Sequence, residues 1–469
     1  MAASYRNLAS NYFSKRVQNV LREVADDTSV PKLQELLLQA HALYEEIYVE
    51  TKSVQAKRDL AASYHQLFRY GGQSDLWKEY VNRELELRFQ LAEDTRTMED
   101  VGALASCFHS MGKAFEKEGG LDQGLPYYIK EMSVREWFVK QTGTEQAKLD
   151  LASSYESMGH VWESKRNWKE TVKYFERALE IRKELADDSE VFVFKKQLVK
   201  SYNALGNFYS FWLMDHQKAR TYYQNALVVL EEMAQSDASD SIKAELIAGH
   251  RHLGQALVDL ECWEEALSYY LKAYQLIEHC SDISDALNSS TVKTISNLYW
   301  KLGRLEEAID FGKKLREIAD EIVDKKKDGG TLDVLGGAHR HLYLLYREVG
   351  QHDKAKEHSR RAMEAYKLAL EHYEKLYAAG REDTRTYIKQ CCFFLGEIAR
   401  KEGLFSQSKA YFEKALPICE QILSENRRPS LDSVYRDDID FVKRQLQELE
   451  EEIQKTKFSF ASIFNFLRR

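Results

Sequence analysis

The sequence predicts an all-α protein, an α-α superhelix of about nine extended two-helix units with a helix capping its C-terminal end. Three observations predict it. Of 469 residues only 4 are Pro and 22 are Gly, too few for turn-rich β architectures or for Pro/Gly linkers. One phrase, usually led by an aromatic residue, recurs along the chain at helical spacing. A second phrase, marked by small residues, follows it at a steady phase, so that each unit supplies two amphipathic helices.

The first phrase reads SYRNLASNYF at 4–13, SYHQLFRY at 63–70, CFHSMGKAF at 107–115, SYESMGHVW at 154–162, SYNALGNFY at 201–209 and GHRHLGQAL at 249–257. A large residue leads, Leu or Met follows three later, then a small residue, then an apolar one: the i, i+3, i+7 stripe of a buried helix face. The small position falls at Ala9, Gly112, Gly159, Gly206, Gly254 and Gly396, with Phe68, Ser296 and Tyr343 in the same register. Gly inside a helix costs about 1 kcal/mol relative to Ala. Its recurrence at one phase therefore predicts a second helix passing close by.

That second helix is written at 168–188, 216–234, 263–278, 305–320, 352–366 and 405–423. Small residues stand at Thr171, Ala219, Ala266, Ala308, Ala355 and Ser408. Seven positions on come Ala178, Ala226, Ala273, Leu315, Ala362 and Ala415. Two such helices joined by a short turn make an αα-hairpin, and hairpins stacked in sequence bury their stripes only against neighbours.

These registers resemble the tetratricopeptide repeat. With Gly159 at position 8 of a unit of about 34 residues, Tyr155, Met158 and Trp162 take positions 4, 7 and 11, and Thr171, Phe175 and Ala178 take 20, 24 and 27. Residues 247–273 fit in the same way through Leu253, Gly254, Leu257, Ala266, Tyr270 and Ala273. The resemblance spans about residues 2–425, loosest near Pro31 in the first unit. Gly112, Gly159, Gly206 and Gly254 lie 47, 47 and 48 residues apart, so each unit carries extra residues, placed in a longer second helix and linker. In this the chain is similar to the extended arrays of bacterial signalling and conflict proteins, and more distantly to kinesin light chains. The expected organisation is a repeat array over 1–428, a capping helix over 429–457 with Ile439, Val442, Leu446, Leu449 and Ile453 on one stripe, for which a dimerising coiled coil is the alternative, and an aromatic tail over 458–469.

The composition excludes several classes of function. A net charge of −8, from 67 Lys+Arg against 75 Asp+Glu, disfavours bulk binding to nucleic acid or anionic membranes. Six irregularly spaced Cys, an opening Met1 to Ser10 without signal-peptide character, and no run of about 18 apolar residues point to a cytoplasmic protein. No phosphate-binding loop is present: GGTLDVLGG at 329–337 lacks the Lys and reads as a linker. His250/His252 and His339/His341 are spaced i, i+2, about 200° apart on a helix, so neither pair chelates one ion. Cys391 and Cys392 read as buried thiols, and the carboxylates sit in surface runs such as Glu448 to Glu452. No catalytic residue, metal site or cofactor is expected, and hence no enzyme.

The resemblance implies a concave groove lined by positions 2, 5, 9 and 12 of each first helix. Here these positions supply Lys200, Asn203, Asn207 and Ser210, then Arg251 and Gln255, then Lys293, Asn297 and Trp300, then Arg340 and Arg347, and finally Phe393, Glu397 and Arg400. Lys301 and Lys401 follow at position 13. This stripe of amides and cations suits an acidic protein or peptide partner, although exposed helix positions are commonly charged in any case. Lys293 and Asn297 match the start of the family's carboxylate clamp, but His341, Gln390 and Phe394 replace its later members, so a chaperone-type terminal carboxylate is not the expected ligand. The expected function is a non-catalytic binding scaffold or adaptor, with a ligand-responsive regulatory sensor as the alternative. The tail, through Phe460, Ile463, Phe464 and Leu467, offers three destinations: the array itself, self-association or another partner, and a membrane surface.

Overall fold

The computed structural model describes residues 30–70, 76–187, 191–237, 239–280, 284–425 and 432–467, the side chains of 30–34, 36, 70, 432 and 455–467 excepted. The phrase at 4–13 and the tail side chains Phe460, Ile463, Phe464 and Leu467 lie outside the described residues. Every regular element among the described residues is helical. The chain forms two compact units, Met1–Met214 and Asp215–Arg469.

The first unit contains α1 (Val30–Thr51), α2 (Val54–Tyr70), α3 (Trp77–Thr95), α4 (Met98–Lys117), α5 (Leu121–Thr142), α6 (Glu145–Ser164), α7 (Trp168–Asp187) and α8 (Phe192–Phe211). The second contains α9 (His216–Ser236), α10 (Asp240–Asp259), α11 (Trp263–Glu278), α12 (Asp285–Lys301), α13 (Leu305–Lys325), α14 (Gly329–Glu348), α15 (His352–Ala378), α16 (Arg385–Lys401), α17 (Phe405–Glu425) and α18 (Asp432–Leu467). Within each unit every helix packs on the next in sequence, the nearest-neighbour arrangement of a repeat array.

The glycines of the first phrase are where the two helices of a hairpin touch. A Cβ on Gly112, Gly254 or Gly396 would lie 2.8 Å from the ring of Tyr128, Tyr270 or Phe412, and one on Gly159 would lie 2.5 Å from Phe175. The aromatic ring fills the space that the missing side chain leaves. The turn between the helices of a hairpin is equally regular. Seven residues after the small position the backbone is left-handed at Gly119, Arg166, Glu261, Gly303, Gly350 and Gly403. Gly adopts this conformation without the Cβ clash that Arg166 and Glu261 bear.

The stretch GGTLDVLGG is not a linker: it forms the first turns of α14. Asp328 caps the helix by accepting from the Thr331 N–H, and the Thr331 side chain returns a bond to the Asp328 backbone, a reciprocal cap that offsets the poor helix propensity of Gly. Gly329 and Gly336 are required by packing, since a Cβ there would lie 2.8 Å from His372 and from Tyr366 respectively.

Several buried polar groups are paired within a hairpin or across neighbouring hairpins. In the first unit Glu131, 4% exposed, lies 2.9 Å from His109 Nδ1 and accepts from Ser154 at 2.7 Å. Arg182, 1% exposed, donates to Glu156 and Ser201, both at 2.7 Å. In the second unit Ser296 Oγ lies 2.7 Å from His341 Nε2 and donates to the Ala308 carbonyl, while His339 and His358 meet Nδ1 to Nδ1 at 2.9 Å. His339 and His341 are thus packing groups, while His250 and His252 lie against the rings of Tyr269 and Tyr223 with their Nδ1 atoms unpartnered among the described residues. Helix α18 runs unbroken across 457/458 and packs on α17 through buried Ile439, Val442 and Leu449.

Candidate functional site

On α10, α14 and α16, several side chains at positions 5, 9 and 12 bond to the next first helix, to α18 or within their own hairpin. Much of the cationic stripe is consumed there. Arg340 donates to Glu397 at 2.6 Å and lies 4.7 Å from the ring centre of Phe394. Arg400 donates to Gln445 and Glu448 at 2.6 Å and to Glu452 at 3.0 Å, all on α18. Arg251 donates to Ser290 Oγ at 3.1 Å, and Arg347 donates to the Tyr343 hydroxyl at 2.9 Å. Gln255 donates to Asp259 and accepts from Tyr270. Asn203 and Asn207 lie on α8, in the first unit, where Asn203 Oδ1 is buried without a partner among the described residues.

One face of α12 differs. Lys293 and Lys301 are exposed, Asn297 and Trp300 half-buried. Among the described residues, the two ammonium groups make no ion pair, and the Asn297 amide and the Trp300 indole N–H make no hydrogen bond; Lys301 only rests over Trp263, 5.9 Å from the ring centre. Successive turns of one helix thus display Lys, Asn and Trp/Lys with their bonding capacity unused. Trp300 is held edge-on by His341 at 6.2 Å between ring centres. Burial holds the His341 imidazole down to about 4, and the nearby cations Lys293 and Arg340 add to this, so it is neutral at pH 7 and acts as a packing group.

Beside this face lies a cleft of ≈ 720 Å³, within the range of ligand-sized clefts. Val258, Leu298, Trp263 and Trp300 supply its apolar walls, Gln255 and Asn297 its amides, and Lys301 and Glu348 its charges. Sequence reasoning found Gln255, Asn297 and Trp300 but missed Val258, Trp263, Leu298 and Glu348. A signal existed for two of them: Trp263 opens the second helix where Trp77 and Trp168 open theirs, and Glu348 stands at position 13, where Lys301 and Lys401 stand in neighbouring units. Near the α14 start, burial raises the Asp333 carboxyl above its ordinary range, opposed only in part by Lys293. Among the described residues no group of three or more His, Cys, Asp or Glu is arranged to hold a metal ion, and no helix is long and apolar enough to cross a membrane.

Models of the tetratricopeptide repeat match residues 151–189, 245–321 and 390–421, each over consecutive helices of the stacks. The chain is a tetratricopeptide repeat protein. The segment 245–321 holds α12 and most of the cleft, so the candidate site is built on tetratricopeptide units. Proteins of this repeat class typically mediate binding to other proteins. Similar solved structures include the apo form of RapI, with 14% identity and a TM-score of 0.48 over 88% of this chain and 99% of that one. BtubC from P. vanneervenii shows 16% identity and a TM-score of 0.37 over 62% and 91% of the two chains. The nuclear import adaptor Nro1 of S. pombe shows 13% identity and a TM-score of 0.39 over 58% and 94%. No curated protein matches the chain by sequence.

Proposed function

We propose that this tetratricopeptide protein is a non-catalytic binding scaffold that recognises an acidic segment of another protein over the α12 face. The observation that carries the reading is the contrast within the cationic stripe. Arg340 and Arg400 are neutralised by Glu397, Glu448 and Glu452, whereas Lys293, which acts on the buried Asp333 carboxyl only through space, and Lys301 make no ion pair among the described residues. Lysines left unpaired beside an unpaired amide and indole are suited to meet carboxylates and backbone groups arriving from outside. Unpaired surface cations also accelerate encounter with an acidic partner, an effect that weakens with salt.

The test is affinity capture of the natural partner with the wild-type chain and with the double variant Lys293→Glu/Lys301→Glu, checked for unchanged helicity. Recovery is expected to fall at least tenfold for the variant. Equal recovery of the same partner would reject the α12 face as the binding surface.

A further inference from the structure

We infer that the α12 cleft selects a charge-ordered segment: a large apolar residue seated between the tryptophans, with an acidic residue on its α12 side and a basic or neutral one on its α14 side. The inference rests on the binding role proposed for the α12 face and adds what that face discriminates.

The apolar anchor follows from the walls. Trp263 and Trp300 frame the cleft with Val258 and Leu298, and an aliphatic or aromatic side chain placed there leaves water against aromatic surface. The grip on the main chain follows from the Asn297 amide and the Trp300 indole N–H, which have no partner of their own among the described residues and can bond an extended backbone.

The charge order follows from the two rims. On α12, Lys301 lines the cleft and is exposed without an ion pair among the described residues; Lys293, also exposed, lies two turns before it, outside the cleft lining. Across the cleft on α14, Glu348 is exposed and makes no ion pair among the described residues. The neighbouring Arg347 turns its guanidinium to the Tyr343 hydroxyl and makes no ion pair with Glu348 among the described residues. A segment acidic on both sides of its anchor would gain at Lys301 and lose at Glu348. A segment acidic on one side and basic on the other gains at both, which makes Glu348 the repulsive element that specificity requires.

The probes are three fluorescein-labelled synthetic peptides, titrated by anisotropy against the full-length chain at about 50 mM salt. The first carries Asp-Glu, then Phe-Leu, then Lys-Lys. The second replaces Lys-Lys by Glu-Glu, and the third replaces Phe-Leu by Ala-Ala. The first is expected to bind about tenfold more tightly than the other two, its advantage over the second shrinking at high salt as for exposed pairs. Glu348→Lys is expected to cancel or reverse the preference of the first over the second. Equal affinity of these two for both wild type and Glu348→Lys would overturn the charge order, and equal affinity of the third would overturn the anchor. Failure of all three to bind at millimolar concentration would overturn the inference as a whole. The underlying reading is judged separately: Lys293→Glu/Lys301→Glu weakening every peptide supports it, whatever the order effect.

Discussion

Acidification should loosen the second unit before the first, because of where its histidines are buried. Burial is the main cause that holds His250, His339 and His341 down to about 4, with Lys272 adding to it for His250, His358, Arg361 and Arg316 for His339, and Lys293 and Arg340 for His341. In the unfolded chain a histidine titrates near 6.5. A folded pKa below the unfolded one means that the unfolded state binds more protons between these values, so the stabilisation is complete above about pH 6.5 and is lost as the pH falls toward about 4. At pH 5.5 each of the three costs about 1.4 kcal/mol, about 4 kcal/mol together. Asp333 works in the opposite direction, since its raised carboxyl favours the protonated folded form, and offsets part of the loss. In the first unit His65 and His109 lie instead beside the carboxylates of Glu84 and Glu131. The assay is hydrogen exchange at pH 7.0 and 5.5, corrected for intrinsic rates, comparing peptides from α10 to α14 with peptides from α4 to α6. Protection is expected to fall in the first set by two orders of magnitude or more and to change little in the second. Equal change in both, or none in either, would refute the reasoning.

Two further predictions concern stability. Arg166→Gly and Glu261→Gly place the unstrained residue at the left-handed turn that Gly119, Gly303, Gly350 and Gly403 occupy in sister hairpins; each is expected to raise stability by about 0.5–1 kcal/mol in thermal or urea unfolding, and destabilisation would contradict the conformation assigned to the turn. Arg182→Ala strips Glu156 of its buried partner, leaving it the exposed Lys200 alone, and leaves Ser201 without its donor; a loss toward the lower end of about 3–5 kcal/mol, the range for breaking a buried pair, is expected, read as early unfolding of α6 to α8, and a near-neutral effect would contradict the pairing.

The hairpins were legible because each is specified locally. A glycine at the small position and an aromatic ring in the following helix are two halves of one contact, as Gly159 with Phe175 and Gly254 with Tyr270 illustrate, and both halves are visible in the sequence with their spacing. The stretch at 329–337 was misleading because its glycines carry two meanings. High Gly content favours a loop when nothing else acts, but here the Asp328 cap and the rings of Tyr366 and Tyr373 fix a helix that only Gly can enter.

The site was legible in outline only. Position within the repeat places Lys293, Asn297, Arg340 and Arg400 on one kind of face, yet whether a cation is available depends on residues far along the chain. Glu397 is 57 residues from Arg340 and Glu452 is 52 from Arg400. No local pattern separates a paired arginine from an unpaired lysine, and that separation reduces the stripe of candidates to one helix face. The cleft was hidden for the same reason: Gln255, Trp263, Asn297 and Glu348 come from four helices, and stacking alone brings them together.

The central claim, that a protein partner lies on the α12 face, is tested most directly by site-specific photocrosslinking in native lysate, with the photoreactive residue at Asn297 or at the exposed Val228 on α9. A discrete crosslinked partner from position 297, absent from position 228 and suppressed by Lys293→Glu/Lys301→Glu, is the predicted result. The same partner crosslinked from 228 and not from 297 would contradict the account.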